Sequence, residues 1–145
     1  MQDQVTNSVR MQFCSRSENV AFARTATAVF ASQLDFTIDQ LDEIKLAVSE
    51  AVSNAIIHGY KNSPGMVRLE LNIIGRTLEI IVSDSGAGIA DVEWAMEAAH
   101  TTDANRMGLG FVFIKEYMDD LVVQSEVGKG TTLFMRKSTD PQVRH

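Results

Sequence analysis

The sequence predicts an α+β fold in which helices cover one side of a mixed, mainly antiparallel sheet, as a two-layer α/β sandwich. One observation behind this is the segment 44–55, where apolar residues recur at helical spacing and form one stripe. A second is the pair of apolar runs at 66–74 and 77–83, joined tightly enough at Gly75-Arg76 to form a hairpin. The length of 145 residues is that of a single domain with one core. We therefore expect one domain over 1–145, with its core over about 8–137.

The N-terminal part predicts a strand and then two helices. Apolar and polar residues alternate over 9–13, which is typical of a half-buried strand. Ser15 and Glu18 have the spacing of a capping box, so we expect a helix from there to about residue 34. Thr37 and Gln40 repeat that pattern at the start of the second helix, which contains the apolar stripe.

The remaining elements follow from turn residues and periodicity. Gly59 is expected to stop the second helix, and the hairpin comes next. After it we expect a short helix near 91–99, then a lid, and then an amphipathic helix over 110–119. A final pair of strands should meet around Gly128-Lys129-Gly130.

Composition argues against a nucleic-acid-binding, a disulfide-stabilised and a membrane-spanning protein. A formal net charge of −6 argues against direct nucleic-acid binding, because phosphate contacts need a basic surface. The single cysteine, Cys14, cannot form an internal disulfide, which favours a reducing compartment. No apolar run is long enough to span a bilayer, and the N-terminus lacks a signal-peptide core. We therefore expect a cytoplasmic protein with no membrane association.

Three polar residues stand on one face of the second helix. Glu50, Asn54 and His58 are spaced four apart, so they stack beside the apolar stripe. A carboxylate and a carboxamide one turn apart can hold a divalent metal and orient a hydroxyl. A solvated helix face with local hydrogen bonds has the same pattern, and this segment alone leaves both interpretations open.

Glycine pairs recur downstream, and their order favours a ligand-binding site over a solvated helix face. Asp84-Ser85-Gly86-Ala87-Gly88 follows an apolar strand, and a carboxylate there can accept a hydrogen bond from an exocyclic amine. Gly108-Leu109-Gly110 opens a helix whose N-terminus is a natural phosphate site. Gly128-Lys129-Gly130-Thr131-Thr132 closes the series. Glycine lets backbone N–H groups approach a ligand closely.

This order of motifs resembles that of the GHKL ATPase superfamily, and within it the small bacterial anti-sigma factor serine kinases, above all their sporulation members. The likeness extends from about Met11 to Arg136. It lies in the following segments: Arg16-Ser17-Glu18-Asn19, Phe22-Ala23-Arg24, Glu43-Ile44-Lys45, Val48 to Tyr60, Thr101-Thr102, Met107 to Phe111, and Ser125 to Thr132.

The resemblance implies a role for each matching residue. Glu50 would be the general base for an attacking serine hydroxyl, and Asn54 would coordinate Mg²⁺. Asp84 would read the adenine amino group of ATP, supported by Thr131 or Thr132 through a hydroxyl and a bridging water. The nucleotide-binding set implied in this way is Asn54, Asp84, Gly86, Gly88, Thr101, Thr102, Gly108, Leu109, Gly110, Thr131 and Thr132.

Two arginines complete the roles that the resemblance implies. Arg106 would meet the γ-phosphate and stabilise the charge that is transferred, together with Glu50 as the catalytic pair. Arg24, on the first helix, would contact both protein partners. Asn105 stands where the sporulation kinases typically carry an acid, so the resemblance does not extend to partner contacts made by the lid.

The implied function is that of an ATP-dependent serine kinase that also sequesters a sigma factor. It would phosphorylate an anti-anti-sigma factor and act as a homodimer, with ATP and Mg²⁺ as cofactors. One alternative is a non-catalytic ATP-binding module that only holds a sigma factor. The other is a stand-alone ATPase domain of the histidine-kinase type, which the absence of a histidine before His58 disfavours.

Overall fold

The computed structural model describes residues 4–97 and 106–139, and within them it confirms the expected sandwich. One five-stranded sheet has the strand order β1-β2-β3-β5-β4, and each pairing between its strands is antiparallel. The strands are β1 (Val5–Cys14), β2 (Met66–Ile74), β3 (Thr77–Asp84), β4 (Asp120–Glu126) and β5 (Gly130–Ser138).

The helices cover one face of this sheet. In β2, for example, Val67, Leu69 and Leu71 are buried, whereas the alternate Arg68 and Glu70 are only half-buried on the other face. The helical elements are α1 (Glu18–Ala31), α2 (Ile38–Asn54), a π turn (Ala55–Gly59), α3 (Val92–Ala95) and α4 (Arg106–Tyr117).

Helix α2 lies at the centre of the helical layer and packs against α1 on one side and α4 on the other. Its predicted apolar stripe is buried, and each buried Ile or Val side chain contributes about 1.5–3 kcal/mol to stability. The buried residues of α2 are Ile44, Ala47, Val48, Ala51 and Val52. Burial of this stripe fixes the rotation of α2 about its own axis. The neighbouring polar face, which carries Glu50 and Asn54, therefore points sideways within the helical layer.

The start of α1 differs from the expectation. The helix begins at Glu18 and its N-cap is Ser17, which makes no side-chain capping bond. Ser15 instead donates its hydroxyl to the Ser63 carbonyl at 3.1 Å, and its N–H bonds the Gly65 carbonyl at 2.9 Å. The capping-box prediction at Ser15 is wrong because this serine fastens the end of β1 to the turn before β2.

The C-terminal end of α2 carries a change of helical type that the sequence did not predict. Gly59 ends the helical segment as expected, but the last five residues form a π turn. Short π segments are frequently found at functional sites. This one brings His58 and Gly59 to the end of the sheet, where β3 finishes.

Two later helices also have different bounds. Helix α3 spans only Val92–Ala95, and the last two residues of the expected segment lie outside the described residues. Helix α4 begins at Arg106 and not at Gly110, so the glycine pair lies within its first turns. Gly110 is buried against α2, and this packing offsets the low helical propensity of glycine.

The buried ammonium of a β5 lysine ties α2 and α4 to the sheet. Lys137 of β5 is 3% exposed, and its ammonium lies 3.1 Å from a carboxylate oxygen of Glu43 in α2. The same ammonium donates to the carbonyl of Tyr117, the last residue of α4. One charged group thus links two helices and a strand, at the end of the fold away from the β3 terminus.

No helix within residues 4–97 and 106–139 has the length and apolar character needed to cross a lipid bilayer.

The capping box of α2 generates the first prediction. Thr37 Oγ1 accepts the Gln40 N–H at 3.1 Å while Gln40 Oε1 accepts the Thr37 N–H at 2.9 Å. Thr37→Ala should therefore lower the free energy of unfolding by about 1 kcal/mol in denaturant titrations. Ser17→Ala is the matched control, because Ser17 occupies an N-cap without a capping bond. Equal losses in the two variants would contradict the assignment.

Candidate functional site

A cleft lies between the helical layer and the end of the sheet at which β3 finishes and β5 begins. It is narrow, with a cavity volume of about 40 Å³, and it opens to solvent. Its walls come from α2, the π turn, α4, the two strands and the loop after β3. The lining residues are Ala51, Asn54, Ala55, His58, Gly59, Val82, Asp84, Gly88, Ile89, Phe111, Thr131 and Leu133.

Asp84 is the charged residue at the inner end of this cleft. It is the last residue of β3, directly opposite Thr131 of β5, and only 6% of its surface is exposed. Its Oδ1 accepts the Gly86 N–H at 2.9 Å. A buried carboxylate with free acceptor positions is suited to bind a ligand that carries an N–H donor.

Burial raises the pKa of the Asp84 carboxyl above its ordinary value, since the cleft removes water from the charged form. Backbone N–H groups of Gly86 and Thr131, and the charge of Arg68, oppose this rise. The ionised carboxylate therefore lowers the stability of the folded protein, as is common for groups at functional sites.

The π turn is fitted against this carboxylate. A Cβ atom on Gly59 would lie 2.8 Å from Asp84 Cγ, closer than side-chain carbon atoms approach each other. Only glycine allows the end of α2 to pass over Asp84 at this distance. Gly59, which the sequence analysis identified only as a helix stop, is thus part of the site.

The glycine loop after β3 is tied down along its length. The Ser85 N–H donates to Tyr60 Oη at 2.8 Å, and the Ala87 N–H donates to the Gly59 carbonyl at 2.7 Å. At its far end, the Ile89 N–H donates to Ser125 Oγ at 2.7 Å. Gly86 and Gly88 thus belong to a preformed loop, and Gly88 faces the cleft with a φ of 75°.

Glu50 and Asn54 lie side by side against α4. A Cβ atom on Gly110 would lie 3.0 Å from Glu50 Oε2 and 3.2 Å from Asn54 Nδ2. The absence of a side chain at Gly110 therefore lets both polar groups reach the space between α2 and α4. Asn54 lines the cleft itself, and Glu50 lies one turn away, half-buried.

The amide of Asn54 is incompletely paired. Within residues 4–97 and 106–139, its Nδ2 is buried and has no hydrogen-bond partner. An unpaired buried amide group costs about 1–3 kcal/mol, so this atom is available to a water molecule or a ligand in the cleft. The oxygen and nitrogen of an amide exchange places by a simple flip, and Asn54 can therefore offer either one to a ligand.

This chemistry fits Mg²⁺. No cluster of three or more His, Cys, Asp or Glu side chains suited to a metal occurs among the described residues. Mg²⁺ bound together with phosphates needs no such cluster, because one or two protein oxygens and the phosphates suffice.

The two predicted threonines lie on opposite faces of β5. Thr131 lines the cleft beside Asp84, and its hydroxyl is 2.8 Å from Ser125 Oγ. Thr132 faces the uncovered side of the sheet, where its hydroxyl donates to Ser83 Oγ at 3.4 Å. The alternation of strand residues therefore excludes Thr132 from the cleft and leaves Thr131 as the candidate.

The remaining predicted residues fall into three groups. The backbone of Arg106, Gly108 and Leu109 is helical and belongs to the first described residues of α4. Thr101 and Thr102 lie outside the described residues. Arg24 is half-buried on α1, a helix that contributes no residue to the lining of the cleft.

Two hydroxyl groups that shape the site, those of Tyr60 and Ser125, were not predicted from the sequence. Tyr60 Oη donates to the Met66 carbonyl at 2.6 Å while it accepts the Ser85 N–H. Nothing in the local sequence indicates this. Ser125 does carry a signal, because it is a polar residue in phase with the inward-facing Leu121 and Val123 of β4.

Comparison with known proteins places this geometry in a family. The model of the histidine kinase-like ATPase domain matches residues 13–137. The anti-sigma F factor of Clostridium kluyveri is 48% identical over 133 residues, which cover 90% of this chain and 94% of the relative. The anti-sigma F factor of Geobacillus stearothermophilus is 47% identical over 135 residues, covering 91% and 92%.

Solved structures share the fold. The structure of the RsbU and RsbW domains of a Mycobacterium tuberculosis protein aligns with a TM-score of 0.65 at 16% identity, covering 92% of this chain and 32% of that one. The histidine kinase domain of the blue-light activated kinase of Erythrobacter litoralis aligns with a TM-score of 0.56 at 20% identity, covering 84% and 60%. The chain thus spans less than two thirds of either protein.

The burial of Asp84 generates a prediction about stability and pH. A raised folded-state pKa means that the native state binds the proton more tightly than the unfolded state. The free energy of unfolding therefore falls as the pH rises from the ordinary carboxyl pKa through the raised one. Without ligand, Asp84→Asn should unfold at a higher temperature than the wild type near neutral pH, and this difference should shrink as the pH falls.

Thermal unfolding over a pH series measures both effects. Asp35→Asn, at an exposed position, is the control and should not alter the pH dependence. An Asp84→Asn variant that is less stable than the wild type at every pH would contradict the argument.

Proposed function

Because this chain belongs to the histidine kinase-like ATPase domain family, with the anti-sigma F factors among its relatives, we propose that it is an ATP-dependent serine kinase that sequesters a sigma factor. It acts as a single domain in the cytoplasm and transfers the γ-phosphoryl group of ATP to a serine of an anti-anti-sigma factor. The observation that carries this proposal is that Glu50 lies beside Asn54 against Gly110, and that Asn54 lines the same cleft as the buried Asp84.

The cleft has two chemically different ends, which suits an elongated ligand such as ATP. Asp84 and Thr131 line the inner end, and they would meet an adenine amino group there. At the helical end, Asn54 lies near Gly110 of α4, and the N-terminal part of a helix favours phosphate oxygens. Between them, Val82, Leu133 and Phe111 form apolar walls that can enclose a purine ring.

Asn54 would hold Mg²⁺ through its amide oxygen, and the ion would neutralise phosphate charge during transfer. Gly108, Leu109 and Gly110 would place backbone N–H groups toward the phosphates. Arg106 would stabilise charge on the transferred group, and Thr101 and Thr102 of the lid would contact the nucleotide.

Glu50 would act as the general base. Its carboxylate takes the proton from the partner's serine hydroxyl while the serine oxygen forms a bond to the γ-phosphorus. The bond between that phosphorus and the bridging oxygen breaks, and ADP leaves with that oxygen. Support comes from the position of Glu50 one helical turn from Asn54, which puts the base near the phosphate end of the cleft.

Arg24 would contact both protein partners from α1. The same helix exposes Phe22, of which 58% is accessible, so an apolar anchor lies two residues from the charged group. The sigma factor and the anti-anti-sigma factor would compete for this surface. Phosphorylation of the anti-anti-sigma factor would then prevent it from displacing the sigma factor.

A homodimer is also part of the proposal. β1 is an edge strand of the sheet, and its Val5 and Val9 are 52% and 36% exposed. A long exposed edge with apolar residues is a surface that a second copy can cover.

Glu50 and Asn54 give a prediction that separates chemistry from binding. Glu50→Gln preserves shape but removes the base, so phosphate transfer to an anti-anti-sigma partner should fall by roughly 10²–10⁴-fold. Binding of ATP should remain, as measured by calorimetry. Asn54→Ala should weaken Mg²⁺-dependent nucleotide binding instead.

Asp84→Asn serves as the comparison, since it should weaken ATP binding by about 1–3 kcal/mol and lower transfer with it. If wild-type protein binds ATP but transfers no phosphate, the non-catalytic sigma-binding module is the correct interpretation. If Glu50→Gln loses binding to the same extent as Asn54→Ala, Glu50 has a structural role.

Arg24 gives a prediction about the shared surface. Arg24→Glu should abolish binding of both protein partners, because the reversed charge repels the acidic groups that the arginine attracts. Binding of ATP should be unchanged, since α1 contributes nothing to the lining of the cleft. Pull-downs with each partner and an ATP titration measure this.

Arg76→Glu is the matched control, with the same change of charge in the turn between β2 and β3. If Arg24→Glu still binds both partners, the shared surface lies elsewhere and does not include Arg24.

A further inference from the structure

Helices α2 and α4 lie side by side, and two contacts fix their register. At the first, Glu50 of α2 lies beside Gly110 of α4, where an added Cβ would be 3.0 Å from Glu50 Oε2. At the second, seven residues away on each helix, the Lys137 ammonium contacts both the Glu43 carboxylate and the Tyr117 carbonyl. The higher residue number of α2 is paired with the lower one of α4, so the two helices run antiparallel over these two turns.

Leu46 and Phe113 lie midway between the two contacts. Leu46 stands four residues before Glu50 in α2. Phe113 stands three residues after Gly110 in α4. Helical periodicity therefore puts Leu46 and Phe113 on the faces that the two helices turn toward each other. Both side chains nevertheless remain exposed, by 47% and 44%, so they form an apolar seam at the outer rim of the contact between the helices.

The aromatic ring of Phe113 is supported by its own helix. It stacks on the Tyr117 ring, with 6.4 Å between the ring centroids and 15° between the ring planes. Tyr117 in turn packs against the hydrophobic core. Phe113 therefore presents an apolar surface that is already oriented, which lowers the entropic cost of binding another side chain against it.

Glu50 connects this apolar seam with the proposed chemistry. On one side of Glu50, Asn54 lines the cleft in which the nucleotide would bind, so the phosphates would occupy that side. A protein that presents a serine hydroxyl to Glu50 must then extend its neighbouring residues over the other side, where Leu46 and Phe113 lie. An apolar side chain of the incoming protein would be removed from water there.

We propose that the apolar seam of Leu46 and Phe113 is the docking site for the segment of the anti-anti-sigma factor that carries the phosphorylated serine. The inference rests on the proposed function, in which Glu50 is the general base. Four residues of helix span about 6 Å, a distance that an extended chain covers in about two residues. The seam therefore takes an apolar side chain about two positions from the serine, and it contributes to substrate affinity and not to the transfer step.

Leu46→Gln and Phe113→Gln test the docking site by steady-state kinetics. The KM for an anti-anti-sigma protein that the wild type phosphorylates should rise about tenfold in each variant, because the complex loses an apolar contact. The kcat and the affinity for ATP should stay unchanged, since the base and the cleft are intact. Leu46→Met keeps an apolar side chain of similar size and should retain the wild-type KM.

Ile38→Gln is the matched control, because Ile38 is an exposed apolar residue at the first position of the same helix. It should leave the KM for the partner unchanged. A variant of the partner completes the cycle, with glutamine in place of the apolar residues within three positions of its serine. Its KM with the wild type should rise about tenfold, and Leu46→Gln should add no further rise, because the same contact is already lost.

The outcomes separate this inference from the proposed function. If the wild type phosphorylates no anti-anti-sigma protein, the proposed function fails and this inference fails with it. If the wild type transfers phosphate and both glutamine variants keep its KM, only this inference is overturned. Loss of sigma-factor binding, or a change of oligomeric state in light scattering, at an unchanged KM would show that a sigma factor or a second copy occupies the seam instead.

Discussion

The burial of the Asp84 carboxylate constrains the geometry around the whole cleft. Backbone N–H groups of Gly86 and Thr131 offset part of the cost of that burial. The end of α2 must pass within contact distance, which only Gly59 allows. The π turn, the glycine loop and the start of β5 are therefore fitted around one charge, and a shift in any of them would disturb the others.

The two ends of the cleft differ in how completely their polar groups are paired. Around the glycine loop, hydrogen bonds to Tyr60, Gly59 and Ser125 hold the backbone before any ligand arrives. On the helical side, the Asn54 amide keeps a buried atom without a partner among the described residues. The backbone at the inner end is thus preorganised, while the Asn54 amide at the helical end still has a position open for a hydrogen-bond partner.

Local patterns were sufficient for much of the fold. The hairpin of β2 and β3 and the capping box at Thr37 were predicted because each depends on neighbouring residues. The same reasoning failed at Ser15, whose hydroxyl is used by Ser63, a residue far along the chain. It also placed the start of α4 too late, since the packing of Gly110 against α2 is a tertiary effect.

The sequence by itself determined the fold class, the order of the elements and the candidates Glu50, Asn54 and Asp84, because periodicity and turn chemistry act over a few residues. Only the tertiary structure decided that Thr131 and not Thr132 faces the cleft, and that Ser125 stands behind it. Those outcomes depend on the register between β3, β5 and β4. A shift of one residue would turn every side chain of a strand to the other face, and the register follows from the packing of the whole sheet against its helices.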